Sequence, residues 1–82
     1  MKKYYVYLAR CKDDTIYTGY TLDLKSREIK HNKGEGAKYT RQRRPIKIIY
    51  WEEFKTMSKA MQREVQIKTW SRIEKEKLIK DL

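Results

Sequence analysis

Hydrophobic and polar residues alternate along the first twenty positions in the pattern of β-strands. Residues 4–11 are rich in aromatic and β-branched side chains, with the odd positions, including Tyr7, on one predicted face and the even positions on the other. Residues 12–14 include two turn-forming aspartates, and residues 15–20 then predict the returning strand of a hairpin. Gly19 lies near the end of that strand, where a glycine often marks a close approach by backbone or ligand.

After the hairpin, the pattern of capping residues favours a helix. Thr21 is the expected N-cap, and Asp23 suits the positive end of the helix dipole in the first turn. Asp23, Arg27 and His31 are spaced by four residues, so they are predicted to lie along one stripe of this helix. Residues 32–45 contain two of the three glycines and the single proline, and they predict a loop that includes a short helical turn.

The second half of the chain predicts one more strand and two more helices. Residues 46–54 have strand composition, and a helix is expected from Ser58 to about residue 69. Ser71 and Glu74 have the spacing of a capping box, which opens a last helix. Its predicted inward positions are Ile73, Leu78 and Leu82. The order ββαβαα predicts an α+β fold, a three-stranded antiparallel sheet flanked by helices, in a single domain over residues 1–82.

Charge and cysteine content narrow the functional class. The 82 residues carry 21 Lys and Arg against 11 Asp and Glu, a formal net charge of +10, which favours a nucleic-acid partner. Cys11 is the single cysteine, so no internal disulfide is expected, and its place in a strand predicts a buried thiol. The chain has no signal-peptide pattern and no apolar run of 18 residues, so a cytoplasmic protein without a membrane partner is expected.

Glu64 is the sharpest single chemical signal. On a helical wheel it falls inside the apolar arc of its helix, and burial of an unpaired carboxylate costs several kcal/mol, so a partner is expected. The positions that define this arc are Met57, Ala60, Met61, Val65 and Ile67. The partner is either a salt bridge to Lys68 or Arg27, or a divalent cation, since Mg²⁺ often uses only one or two protein carboxylates.

Four more residues have side chains suited to phosphate chemistry, although each alone is ordinary. Tyr7 and Tyr17 are phenols with an intrinsic pKa of about 10, so they act as bases only with help from cations. Arg27 would supply a permanent positive charge in a geometry that matches phosphate. His31 is the single histidine and a candidate for proton transfer, or simply a hydrogen-bond partner.

The predicted loop is strongly basic and contains one aromatic residue. This combination suits contacts to a nucleic-acid backbone together with base stacking, although arginine-rich loops are also commonly just solvated. The residues concerned are Lys38, Tyr39, Arg41, Arg43 and Arg44. The chain has no Cys/His metal cluster, P-loop or dinucleotide-binding glycine pattern.

The chain resembles the GIY-YIG nucleases in the order and spacing of four motifs, which are Tyr5-Val6-Tyr7, Tyr17-Thr18-Gly19, Arg27 and Glu64. Further runs are similar to small stand-alone bacterial members, the UPF0213 group. They cover residues 23–27, 31–32, 36–40 and 43–45. The nuclease domain of the eukaryotic enzyme that cuts branched DNA shares part of this set. Two residues depart from the pattern: Tyr5 replaces a glycine, and Thr18 replaces an isoleucine on the opposite face, where little effect is expected.

The resemblance implies a metal-dependent nuclease that hydrolyses DNA phosphodiester bonds, with branched, single-stranded or damaged DNA as the expected substrate. In this family Glu64 would hold one Mg²⁺ or Mn²⁺, and Tyr7 or Tyr17 would activate water. Arg27 would stabilise the phosphoryl charge, and His31 would relay a proton. Two alternatives stay open at this point: a non-catalytic basic nucleic-acid-binding domain, and an accessory subunit with an acidic protein partner.

Overall fold

Three antiparallel strands form the central sheet, as the strand pattern predicts. The computed structural model describes residues 2–81. The strands are β1 (Tyr4–Arg10), β2 (Ile16–Thr21) and β3 (Lys47–Phe54), in the order β2-β1-β3. Within the described residues β2 is therefore an edge strand, paired on one side with β1. The predicted α+β class and antiparallel sheet are confirmed.

The turn between β1 and β2 is built from aspartates, as expected. The Asp13 carboxylate accepts hydrogen bonds from the backbone N–H of Thr15 (3.2 Å) and from its hydroxyl (2.6 Å). Asp14 adopts a φ of +70°, a left-handed conformation that Asp tolerates better than most residues. This turn sets the register of the hairpin, in which Tyr7 lies directly opposite Gly19.

Four helices surround the sheet in the described part of the chain, and their N-caps differ in part from the predicted ones. They are α1 (Leu24–Asn32), α2 (Lys38–Arg41), α3 (Met57–Lys68) and α4 (Arg72–Lys80). Asp23, and not Thr21, caps α1, because the Asp23 carboxylate reaches the N–H of Ser26 at 3.0 Å. Thr56 caps α3, which therefore begins before Ser58. The predicted capping box of α4 is present in full.

Side chains from the two faces of the sheet form two separate hydrophobic clusters. The even positions of β1 pack with α3 and α4, in a cluster built on Val6, Leu8, Tyr50, Ala60 and Ile67. The odd positions face α1 and the segment before β3, in a cluster built on Tyr7, Ala9, Cys11 and Ile46. The buried position of Cys11 confirms the expected thiol environment, and this burial raises the pKa of the thiol.

The predicted apolar arc of α3 is wrong in most of its members. Only Ala60 and Ile67 are buried, whereas the other three members, Met57, Met61 and Val65, are exposed. The helix packs on the sheet through Ala60 and Ile67, so its inward face is displaced from the centre of the predicted arc. Glu64 still lies beside that inward face, with its side chain only 13% exposed.

The inward face of α4 also differs from the prediction. Ile73 is exposed, while Leu78, together with Ile79, packs against the first cluster. Leu82 lies outside the described residues. Among residues 2–81, no helix has both the length and the apolar character that a membrane crossing requires.

Candidate active site

Tyr7 lies at the centre of the site because Gly19 leaves room for its ring. A Cβ atom added to Gly19 would lie 2.6 Å from the Tyr7 hydroxyl oxygen, which is too close for any other residue type. Tyr7 is therefore buried against the backbone of the opposite strand. Burial raises the pKa of Tyr7 above its usual value; Tyr17 and Glu64 act in the same direction and Arg27 opposes them.

His31 connects Tyr7 to the loop through a chain of hydrogen bonds. The Thr40 hydroxyl donates to the Ala37 carbonyl oxygen at 3.0 Å, so it accepts the bond from Nδ1 of His31 at 2.8 Å. Nε2 is then unprotonated and accepts a hydrogen bond from the Tyr7 hydroxyl at 2.7 Å. Burial, and secondarily Arg27, lowers the pKa of His31, which favours this neutral form.

Thr40 and Gly36 are site residues that sequence reasoning did not single out. Thr40 is fully buried and fixes the orientation of the His31 ring. Gly36 packs against the same ring so closely that a Cβ atom there would overlap it. Both belong to the run of residues 36–40 that carries part of the family resemblance. Their contact with His31 comes from loop closure, which residue spacing does not reveal.

Tyr17 is held at the mouth of the site by aromatic contacts. Its ring centroid lies 5.4 Å from that of His31, and its ring stacks on Tyr39 at 5.9 Å with an interplanar angle of 27°. The Arg43 guanidinium lies 4.0 Å from the Tyr39 ring centroid. Tyr39, predicted to stack on bases, thus already has two stacking partners within the protein.

One cleft brings together four of the five predicted catalytic residues. It has a volume of about 490 Å³ and opens at the edge of the sheet, next to Gly19. The four that line it are Tyr7, Tyr17, Arg27 and Glu64. The first three come from β1, β2 and α1, whereas Glu64 comes from α3, which packs on the other face. His31 lies behind Tyr7 and does not line the cleft.

Arg27 presents its charge to the cleft without a carboxylate partner. Its Nε donates to the Thr21 hydroxyl at 3.4 Å, and no described carboxylate forms an ion pair with it. The Thr21 hydroxyl also accepts a bond from the Asp23 N–H, so the start of α1 positions this arginine. The remaining guanidinium N–H groups are suited to a phosphate.

The contacts of the Glu64 carboxylate suit a ligand for a hard divalent cation. Of its two predicted salt-bridge partners, Lys68 is the one present, with Nζ 3.6 Å from a carboxylate oxygen. Among residues 2–81, no group of three or more His, Cys, Asp or Glu side chains surrounds a common point. One largely buried carboxylate at an open cleft fits an ion such as Mg²⁺, which takes its other ligands from water and phosphate.

The basic loop is largely engaged in contacts within the protein. Arg43 donates to the Asp13 carboxylate at 3.0 Å and to the Tyr39 carbonyl at 2.8 Å. Arg44 donates to the carbonyl oxygens of Arg41 and Asn32. The side chains of Lys38 and Arg41 are exposed. A nucleic-acid role of this loop remains a prediction, carried most readily by those two residues.

Comparison with known domain families supports a nuclease-type catalytic domain for this fold. A model of the GIY-YIG catalytic domain matches residues 3–78, and the chain belongs to the GIY-YIG family. Nucleases of this family generally use a divalent metal.

Similar proteins cover essentially the whole chain. A UPF0213 protein of Staphylococcus saprophyticus is 53% identical over 81 residues, and one of Staphylococcus haemolyticus is 51% identical, each over 99% of both chains. The solution NMR structure of a UPF0213 protein from Bacillus halodurans is 44% identical with a TM-score of 0.61, over 95% of this chain and 83% of that one. A second NMR structure, from E. faecalis, is 41% identical with a TM-score of 0.66, over 99% and 86%.

The two departures from the family motif have different structural settings. Tyr5 is half-buried in extended backbone at the start of β1, away from the cleft lining. Thr18 lies opposite Leu8 and faces the first hydrophobic cluster, on the face of the sheet opposite to Tyr7, as expected. Its hydroxyl oxygen is buried, and no hydrogen-bond partner for it occurs among the described residues. The small effect expected of this replacement stays a prediction, which the stability of a Thr18 variant would test.

Proposed function

We propose that this chain is a metal-dependent nuclease that hydrolyses DNA phosphodiester bonds. The observation that carries the proposal is the convergence of Tyr7, Tyr17, Arg27 and Glu64 on one cleft from both faces of the sheet. A binding surface would have no use for a largely buried carboxylate beside a phosphate site, because the two would repel each other. With a cation between them, the same pair becomes favourable.

Tyr7 is the stronger candidate for the base that activates water. Its hydroxyl proton already has an acceptor, Nε2 of His31, at 2.7 Å. As water attacks the phosphorus, its proton passes to the Tyr7 oxygen while the Tyr7 proton passes to His31. The bond from phosphorus to the leaving-group oxygen breaks at the same time, and that oxygen takes its proton from solvent water. The imidazole ring then carries the positive charge and keeps its Nδ1–H bond to Thr40. The raised pKa of Tyr7 argues against a free phenolate and in favour of this concerted transfer.

Arg27, together with a cation held by Glu64, would stabilise the negative charge of the phosphate. Arg27 is oriented by Thr21 and stabilises the negative charge that builds on the phosphoryl oxygens. Glu64 would hold the divalent ion, and such an ion when bound polarises the phosphate and neutralises part of its charge. Tyr17 borders the cleft without a hydrogen-bonded proton acceptor among the described residues, so we assign it a positioning role toward the attacking water.

The test is cleavage of a panel of labelled DNAs by the wild-type protein and by Glu64→Gln. Branched, nicked, single-stranded and duplex DNAs are incubated with Mg²⁺, with Mn²⁺ or with a chelator. We expect cation-dependent cleavage, with a preference for branched or damaged DNA, that Glu64→Gln lowers at least about 10²-fold. Glu35→Gln removes the same charge from an exposed loop position and serves as the matched control.

Circular dichroism of each variant separates loss of chemistry from loss of folding. Equal cleavage by wild type and a folded Glu64→Gln variant would refute the assignment of the metal ligand. Salt-sensitive binding with no turnover on any substrate would instead identify a non-catalytic nucleic-acid-binding domain.

A further inference from the structure

A second groove continues from the cleft along the edge of the sheet. Tyr17 lines both, and beyond it two adjoining depressions of about 300 and 200 Å³ follow β2 toward the hairpin turn. We call them together the edge groove. It is lined by Ile16, Thr18, Tyr39, Lys68 and Lys75, with Thr15 and Arg72 at its far end. One wall therefore comes from the loop at Tyr39, and the other comes from α3 and α4.

The charge of the edge groove is positive and incompletely compensated. Lys75 is half-buried, and no carboxylate among residues 2–81 forms an ion pair with it. Burial, and then the neighbouring Lys68, lowers the pKa of Lys75, so two ammonium groups from different helices face the same space. Arg72 differs, because Asp14 already pairs with it at 2.6 Å.

A half-buried ammonium group without a carboxylate is costly unless an anion binds beside it. Lys68 strengthens this preference, since the one ion pair that it forms with a described residue is with Glu64, at 3.6 Å. A cation bound at Glu64 would compete for that carboxylate and leave the Lys68 ammonium group to the groove. The arginines of the basic loop are less available to bind an anion, because Arg43 and Arg44 are hydrogen-bonded within the protein.

We propose that the edge groove binds a backbone phosphate of the nucleic-acid strand next to the scissile one, through Lys75 and Lys68. The inference rests on the proposed nuclease function, which locates the scissile phosphate between Arg27 and Glu64. The bound strand then runs along β2, from the cleft past Tyr17 toward the hairpin turn. Contacts of this kind fix the register of the strand and carry no sequence information.

The experiment measures how salt weakens the binding of a labelled single-stranded oligonucleotide, in chelator so that no cleavage occurs. Fluorescence anisotropy between about 50 and 200 mM salt gives the slope of log Kobs against log salt concentration. We expect Lys75→Gln to reduce the magnitude of this slope by about 0.7, the value for one lost phosphate contact on a single strand. Lys77→Gln, which removes the same charge from an exposed position on α4 outside the groove, should leave the slope unchanged.

Two further results make the outcome decisive. Lys75→Arg keeps the charge and should keep the wild-type slope; a slope reduced equally by Lys75→Arg and Lys75→Gln would show a packing role and overturn the proposal. Equal slopes for Lys75→Gln and Lys77→Gln would also overturn it, whether or not the protein cuts DNA. A reduced slope for Lys75→Gln alone would support the groove even if the wild-type protein cleaved nothing, in which case only the nuclease proposal would fail.

Discussion

Replacement of Gly19 by alanine should disable the site with only a moderate loss of stability. The new Cβ atom would lie 2.6 Å from the Tyr7 hydroxyl oxygen, whereas ordinary contacts begin at 3.4 Å. The oxygen must therefore move by about 0.8 Å, the difference between those two distances. Its hydrogen bond to His31 is 2.7 Å long, so such a movement either breaks that bond or forces the two rings to overlap.

The loss of stability and the loss of cleavage activity can each be given an expected magnitude. Overpacking of this kind costs about 1–3 kcal/mol of unfolding free energy, which urea denaturation measures. A reacting group misplaced by about 1 Å can lower turnover by about 10²-fold, which single-turnover cleavage of the preferred DNA measures. We therefore expect a folded Gly19→Ala protein whose cleavage rate falls by about two orders of magnitude.

The matched control is Gly34→Ala, which introduces strain away from the cleft. Gly34 has a φ of +82°, so alanine there is also destabilising, by about 1 kcal/mol. This variant should lose stability and keep its activity at temperatures where it is folded. If Gly19→Ala cleaved DNA as fast as Gly34→Ala, the position of the Tyr7 ring would not matter for catalysis, and the reasoning would be refuted.

Two other outcomes follow from buried polar groups. Thr18→Val removes an unpartnered hydroxyl at nearly constant volume, so it should raise the unfolding free energy by about 1 kcal/mol in urea melts; a lower value would show that the hydroxyl is satisfied in solution. His31 has a pKa below its usual value of about 6.5. As the pH falls, His31 is therefore protonated in the unfolded chain before it is protonated in the folded protein. Stability should be complete above about pH 6.5 and fall as the pH drops toward the pKa of the folded state. His31→Gln should remove that fall, and an unchanged profile would count against a neutral buried ring.

The parts of the fold that depend on local chemistry could be predicted from the sequence. Alternation along β1, the aspartate turn and the Ser71 capping box each involve neighbours within a few residues. The cap of α1 was wrong by two residues because Thr21 and Asp23 are both good capping residues. Only the path of the backbone decides between them, and the Thr21 hydroxyl serves Arg27 instead.

The residue types of the site could be predicted from the sequence, but the packing and the contacts that hold them in place could not. Glu64 was expected near a buried face, and it is there, although the expected apolar arc consists mostly of the exposed residues Met57, Met61 and Val65. A hydropathy wheel cannot distinguish an exposed methionine from a buried one. Thr40 and His31 are nine residues apart in the sequence, and they meet because the loop between them folds back. The spacing of the two residues does not predict that path of the loop.

The open edge of β2 has a consequence for how copies of this protein behave toward one another. An unpaired strand edge is a template on which a strand from another chain can add. Lys68 and Lys75 stand beside that edge, so two copies approaching through it would bring like charges together. Any polyanion in the groove would neutralise these charges, but only one long enough to run along β2 would also block the edge. Short polyanions that cover the lysines but leave the strand accessible should therefore promote self-association, whereas long DNA should suppress it.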